Sequence, residues 1–72
     1  MGNLEKRLRQ GEQIEFESDE DLVEVRFSKT LSGNLQFMLT LNSKLVLMVK
    51  TFKSLEARLN QLISERNLIE NV

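Results

Sequence analysis

The chain has no cysteine, so it can form neither a disulfide nor a thiolate metal site. It also has no histidine, which removes the commonest transition-metal ligand and the one side chain whose ordinary pKa lies near neutrality. Proline, tryptophan and tyrosine are absent as well, leaving four phenylalanines as the only aromatic side chains. The three glycines, Gly2, Gly11 and Gly33, stand alone, so no glycine-rich phosphate loop exists. The longest apolar run, Leu45 to Val49, is far shorter than the ~20 residues a helix needs to cross a bilayer.

These absences narrow the function classes. Catalysis needs a titratable group poised near neutrality or a nucleophile beside a base. Without His and Cys only lysines and carboxylates remain, and most carboxylates fall where solvent would keep them ordinary. The expectation is a non-enzymatic protein that uses no cofactor and no metal. The N-terminal stretch Met1-Gly2-Asn3-Leu4-Glu5-Lys6-Arg7 lacks the apolar stretch of a signal peptide, and Lys6 breaks the myristoylation pattern. The expectation is a cytoplasmic protein with no membrane contact.

What is present reads as one small domain over residues 1–72. Apolar residues make up 40% and charged residues 29%, a balance that favours a packed core over disorder. A core in so short a chain has little spare stability, so a partner subunit is a natural supplement. Net charge is −1, too small for bulk attraction to nucleic acid or anionic lipid.

Periodicity divides the chain. Residues 3–10 predict a short helix with Leu4 and Leu8 on one face, Asn3 as N-cap and Gly11 as terminator. Residues 12–17 alternate, with Ile14 and Phe16 on one side and acids on the other, the pattern of a half-buried strand. Residues 22–28 repeat it with Val23, Val25 and Phe27 inward. After a loop containing Ser32-Gly33-Asn34, in which Leu31 is expected to fold back on the core, residues 35–41 give a third strand. Its inward residues are Leu35, Phe37, Leu39 and Leu41, with Gln36, Met38 and Thr40 outward.

Residues 44–50 fit either a buried fourth strand or the start of a helix, while residues 51–70 carry an amphipathic helix. Leu45, Met48, Phe52, Leu55, Leu59, Leu62, Arg66 and Ile69 keep heptad spacing without a phase break, which favours one helix from about Ser43 to Glu70. The fold class expected is α+β: a three- or four-stranded antiparallel meander against a long C-terminal amphipathic helix, with a short N-terminal helix. A helix of ~40 Å overhangs strands of ~23 Å, leaving Leu62, Ile63, Leu68 and Ile69 in need of cover. The expectation is a homodimer of antiparallel C-terminal helices through Phe52, Leu55, Leu59, Leu62, Arg66 and Ile69, with Arg58 near Glu65 of the partner.

The charge pattern points to a second surface. Glu12, Glu15, Glu17, Asp19, Glu20, Asp21 and Glu24 lie within thirteen residues. On a hairpin, Glu15, Glu17 and Glu24 share the outward face, and Asp19, Glu20 and Asp21 occupy the turn. A calcium loop would need a Gly in the turn and a bidentate Glu beyond it, and neither is there. The ordinary role of outward charge is solubility and the blocking of edge pairing. The functional reading is contact with an as yet unidentified protein partner through Glu15, Glu17, Asp19, Glu20, Asp21 and Glu24. In a sharper form, this small regulatory or adaptor protein is an acidic inhibitor that occupies a nucleic-acid-binding groove. A DNA- or RNA-binding protein is the alternative. It would use Lys6, Arg7 and Arg9 with Lys44, Lys50, Lys53, Arg58 and Arg66 of the helix, but no aromatic is free to stack on a base.

Overall fold

The computed structural model describes residues 3–71. The elements are α1 (Leu4–Arg9), β1 (Ile14–Glu17), β2 (Leu22–Lys29), β3 (Leu35–Leu41), β4 (Lys44–Val49), α2 (Phe52–Arg66) and β5 (Ile69–Glu70). The five strands form one sheet in the order β4-β3-β2-β1-β5, antiparallel at every pairing. Both helices contribute to the core on the same side, so the fold is α+β in two layers, as the alternating segments implied.

Each boundary has a local cause. Helix α1 begins at Asn3, whose side chain makes no capping bond. It ends in a Schellman motif: the Gly11 N–H donates to the Leu8 carbonyl at 3.0 Å and the Glu12 N–H to the Arg7 carbonyl at 3.1 Å. That turn needs a left-handed residue, and Gly11 supplies φ +98° without a Cβ penalty. Strands β1 and β2 align Ile14 with Val25 and Phe16 with Val23, so the apolar members share one face. Phe27 and Phe37 sit opposite each other with ring centroids 4.5 Å apart, and Phe37 meets Phe52 of α2 edge-on at 5.7 Å.

The long helix from Ser43 to Glu70 does not form. Asn42 and Ser43 take φ 51° and 70°, a two-residue turn with both centres left-handed that matches the twist of a hairpin. Lys44–Val49 therefore returns as β4 beside β3. The Asn42 N–H donates to the Leu22 carbonyl and its Oδ1 accepts from the Leu22 N–H, both at 2.8 Å, tying this turn to the start of β2. Helix α2 starts only at Phe52, where Thr51 Oγ1 accepts the Ser54 N–H at 3.3 Å. At its far end Asn67 (φ 54°, ψ 46°) turns the chain, the Leu68 N–H reaches the Ile63 carbonyl at 3.2 Å, and Leu68 becomes buried. Residues 69–70 then pair with β1 as a fifth strand that periodicity did not suggest.

The heptad stripe is thus three elements in accidental phase, with Leu45 and Met48 in β4, Phe52 to Arg66 in α2 and Ile69 in β5. Leu47 and Val49 of β4 pack against the core from one side, while Leu55, Leu59 and Leu62 of α2 are essentially buried. Leu62 and Leu68 find their cover within the chain, and Ile63 is half-buried against it. Leu31, expected to fold back, stands fully exposed at the tip of the β2–β3 loop.

Candidate protein-contact surface

The sheet has two unlike faces. The inner face carries Ile14, Phe16, Val23, Val25, Phe37 and Leu39 into the core with Leu4 and Leu8 of α1 and the stripe of α2. The core residues of both helices lie on that side, and the outer face is left to the outward-pointing strand residues.

The pairing register places the predicted acids on that outer face. Glu15 of β1 sits directly opposite Glu24 of β2, and Glu17 opposite Leu22. Like charges directly opposite across two strands repel. Each carboxylate is held by a neutral amide instead of a cation: Gln13 Nε2 donates to Glu24 at 2.6 Å, and Asn71 Nδ2 to Glu15 at 3.4 Å. The negative charge of the pair is therefore hydrogen-bonded but not neutralised.

The β1–β2 turn is built by Ser18. Its N–H donates to the Asp21 carbonyl at 2.9 Å, and its Oγ accepts the Asp21 N–H at 3.2 Å, a local closure typical of serine. Asp19 and Glu20 project from this closed turn and are exposed. Their carboxylates and that of Glu17 make no hydrogen bond or ion pair with the other described residues.

Asp21 behaves differently from its neighbours. Asn42 Nδ2 donates to one carboxylate oxygen at 2.9 Å and Arg66 Nη1 to the other at 3.1 Å. The amide hydrogen bond first, and the guanidinium second, hold the carboxyl below its ordinary range. With its side chain only 14% exposed, Asp21 joins three segments of the fold and is poorly placed to meet a partner.

Two further acids join the turn from the end of the chain. Glu17, Asp19, Glu20, Asp21, Glu65 and Glu70 line one open trough of about 1020 Å³, with Arg66 the one cation among the described residues around it. Glu65 accepts from Gln61 at 3.2 Å. Glu70 accepts from Arg7 at 2.8 Å, a contact that raises the guanidinium pKa further and fastens β5 to α1. Ile69, 74% exposed, lies beside Glu17 in the β1–β5 pairing. Placing Glu65 and Glu70 here required the Asn67 turn. Asn after a periodic run is a helix-stop signal, so that much was available in the sequence.

The residues expected to pair two helices are not brought together as a free stripe. Leu55, Leu59 and Leu62 lie within the chain's own core, and Phe52 is half-buried against Phe37. Arg66 is bound to Asp21, and Ile69 belongs to β5. The apolar side of α2 is occupied by its own sheet.

The N-terminal basic cluster is likewise engaged. Arg7 pairs with Glu12 at 3.2 Å and with Glu70, and Arg9 pairs with Glu5 at 2.9 Å. The Arg9 guanidinium also sits 5.1 Å from the ring centroids of both Phe27 and Phe37, closing that end of the core. Of the three, Lys6 alone is exposed with no ion pair to a described residue. No helix among the described residues is long and apolar enough to cross a membrane.

Comparisons of the chain with protein-family models, with curated proteins and with solved structures find no match.

Proposed function

We propose that this chain is a small non-enzymatic contact module that recognises a cationic surface of another protein through its acidic β1–β2 hairpin. The Glu15–Glu24 pair carries the reading. Two carboxylates are kept face to face, hydrogen-bonded by neutral amides, at a cost of about 0.2–1 kcal/mol to the isolated fold. A lysine or arginine from a partner would relieve that repulsion, so the unfavourable term in the free protein becomes a favourable one on binding. The trough at the turn extends the same charge sign, with Glu17, Asp19 and Glu20 free of internal partners among the described residues. Every side chain buried among the described residues is apolar, which fits a scaffold for a surface. The engagement of Arg7 and Arg9 within the fold weighs the same way against a nucleic-acid interface.

Charge chromatography tests this directly. The chain should be retained on immobilised polylysine, released by rising salt, and pass unretained over heparin. Glu15→Lys with Glu17→Lys should abolish retention while leaving the far-ultraviolet spectrum intact and the unfolding midpoint no lower than that of wild type. Retention on heparin with passage over polylysine would point to the nucleic-acid alternative instead.

A further inference from the structure

We propose that the outer face of the sheet is the seat for a basic amphipathic helix of the partner protein. This rests on the acidic hairpin being a contact surface, and it adds an apolar half that the charge pattern did not contain.

Across the face, residues line up in rows. One row runs Glu15, Glu24, Thr40, Leu45, and the next runs Arg26, Met38, Met48. The β1–β2 half is therefore acidic and the β3–β4 half is apolar. Leu45 is 56% exposed and Met48 46% exposed, and Val46, the unpaired residue of the β4 irregularity, adds 41%. Met38 lies between Arg26 and Met48 and is 9% exposed, with the Ser28 hydroxyl 3.7 Å from its sulfur, so it forms a filled floor. Thioether side chains suit a helix-binding floor because they repack around unlike partners.

The dimensions and charges fit one kind of occupant. A helix with its side chains is ~10 Å wide, about two strand spacings of ~4.8 Å. Laid on β3 and β4, it would cover Met38, Leu45 and Met48, and its flanking cations would fall over Glu24 and Glu15 one and two strands away. Charged strand residues on this face are Glu15, Glu17, Glu24 and Arg26, an excess of carboxylates that selects a basic helix. An added strand fits less well. The free edge of β4 is interrupted at Val46 and bracketed by Lys44 and Lys50, features that block edge pairing. A second copy fits less well too: two such faces related by an axis across the strands would set Glu15 and Glu24 against their own counterparts.

The test uses a designed peptide of about 18 residues, five helical turns, with leucine on one face and lysine on the other. A scrambled peptide of the same composition serves as control, and binding is followed by amide chemical shifts of the full chain. The amphipathic peptide should bind at least about tenfold tighter than the scrambled one, with shifts centred on residues 38–48. Leu45→Ser with Met48→Ser, both at exposed positions, should remove that advantage and leave polylysine retention unchanged. If both peptides bind alike and the serine pair has no effect, the apolar seat is refuted while the hairpin reading stands. If neither peptide nor polylysine is bound, both fall. A concentration-dependent dimer in sedimentation that the serine pair dissociates would make the occupant a second copy and overturn the proposal.

Discussion

Replacing Glu15 by lysine should make the isolated protein more stable. In the folded chain Glu15 faces Glu24 across the β1–β2 ladder. A like pair in that position costs about 0.2–1 kcal/mol and an opposite pair gains a similar amount, so reversal of one charge swings stability by roughly 0.4–2 kcal/mol. The hydrogen bond lost from Asn71 is long at 3.4 Å and exposed, and subtracts a small part of this. Glutamate and lysine have similar strand preferences, so the backbone adds little to the difference. For a domain of this size each kcal/mol moves the thermal midpoint by about 4–8 °C, well within the reach of a circular-dichroism melt. Glu15→Gln, which removes repulsion without adding attraction, should fall between wild type and Glu15→Lys. The gain should shrink in 1 M salt, where the Debye length is about 3 Å. A lysine variant equal to or less stable than wild type at low salt would show that the carboxylates do not oppose each other, and the case for a contact surface built on them would fail.

Other expectations concern the frame that holds this face. Leu59→Ala, at a fully buried site facing the sheet, should cost about 2–5 kcal/mol, a large part of the ~4–11 kcal/mol available to a domain this small, read as a lower urea midpoint. Asn67→Gly should leave stability within a few tenths of a kcal/mol, whereas Asn67→Val should cost about 1–2 kcal/mol because a branched side chain resists the left-handed turn. Because its carboxyl is held below the ordinary range in the fold, Asp21 stabilises the native state at pH values above about 3.9. That contribution disappears as pH falls through its lower native value. Asp21→Asn should therefore unfold at lower urea than wild type at pH 7, with the gap narrowing as the pH falls below about 3.9; a gap that does not narrow in acid would contradict a carboxylate held by Asn42 and Arg66. A chain ending at Leu59 should lose cooperative folding, since it lacks the buried Leu62 and Leu68 and the strand that pairs with β1.

Much of this architecture is legible in the order of residues, because a half-buried strand writes its two faces alternately. Ile14 and Phe16, Val23, Val25 and Phe27, and Phe37 and Leu39 all point where that alternation puts them. The outward acids follow from the same rule. Residues 43–50 are ambiguous in sequence because their stripe fits a heptad and a strand equally well, and what separates the two is local. Asn42 and Ser43 accept left-handed geometry, and Thr51 caps the true helix start. A turn at Asn42-Ser43 moves Leu45 and Met48 from a helix stripe to the outer face of the sheet. The contribution of Glu65 and Glu70 to the trough was hidden for another reason. It depends on β5 joining β1, a pairing of residues more than fifty positions apart that no local pattern encodes.

One face of the sheet is sealed by the chain's own helices while the other stands open beside uncompensated carboxylates. Solvent paramagnetic relaxation of methyl signals by a neutral, soluble gadolinium chelate measures this most directly. Strong broadening is expected at Leu45, Val46 and Met48, with Leu39, Leu55 and Leu59 unaffected. Equal protection of both groups in dilute solution, or broadening at Leu55 and Leu59, would contradict it.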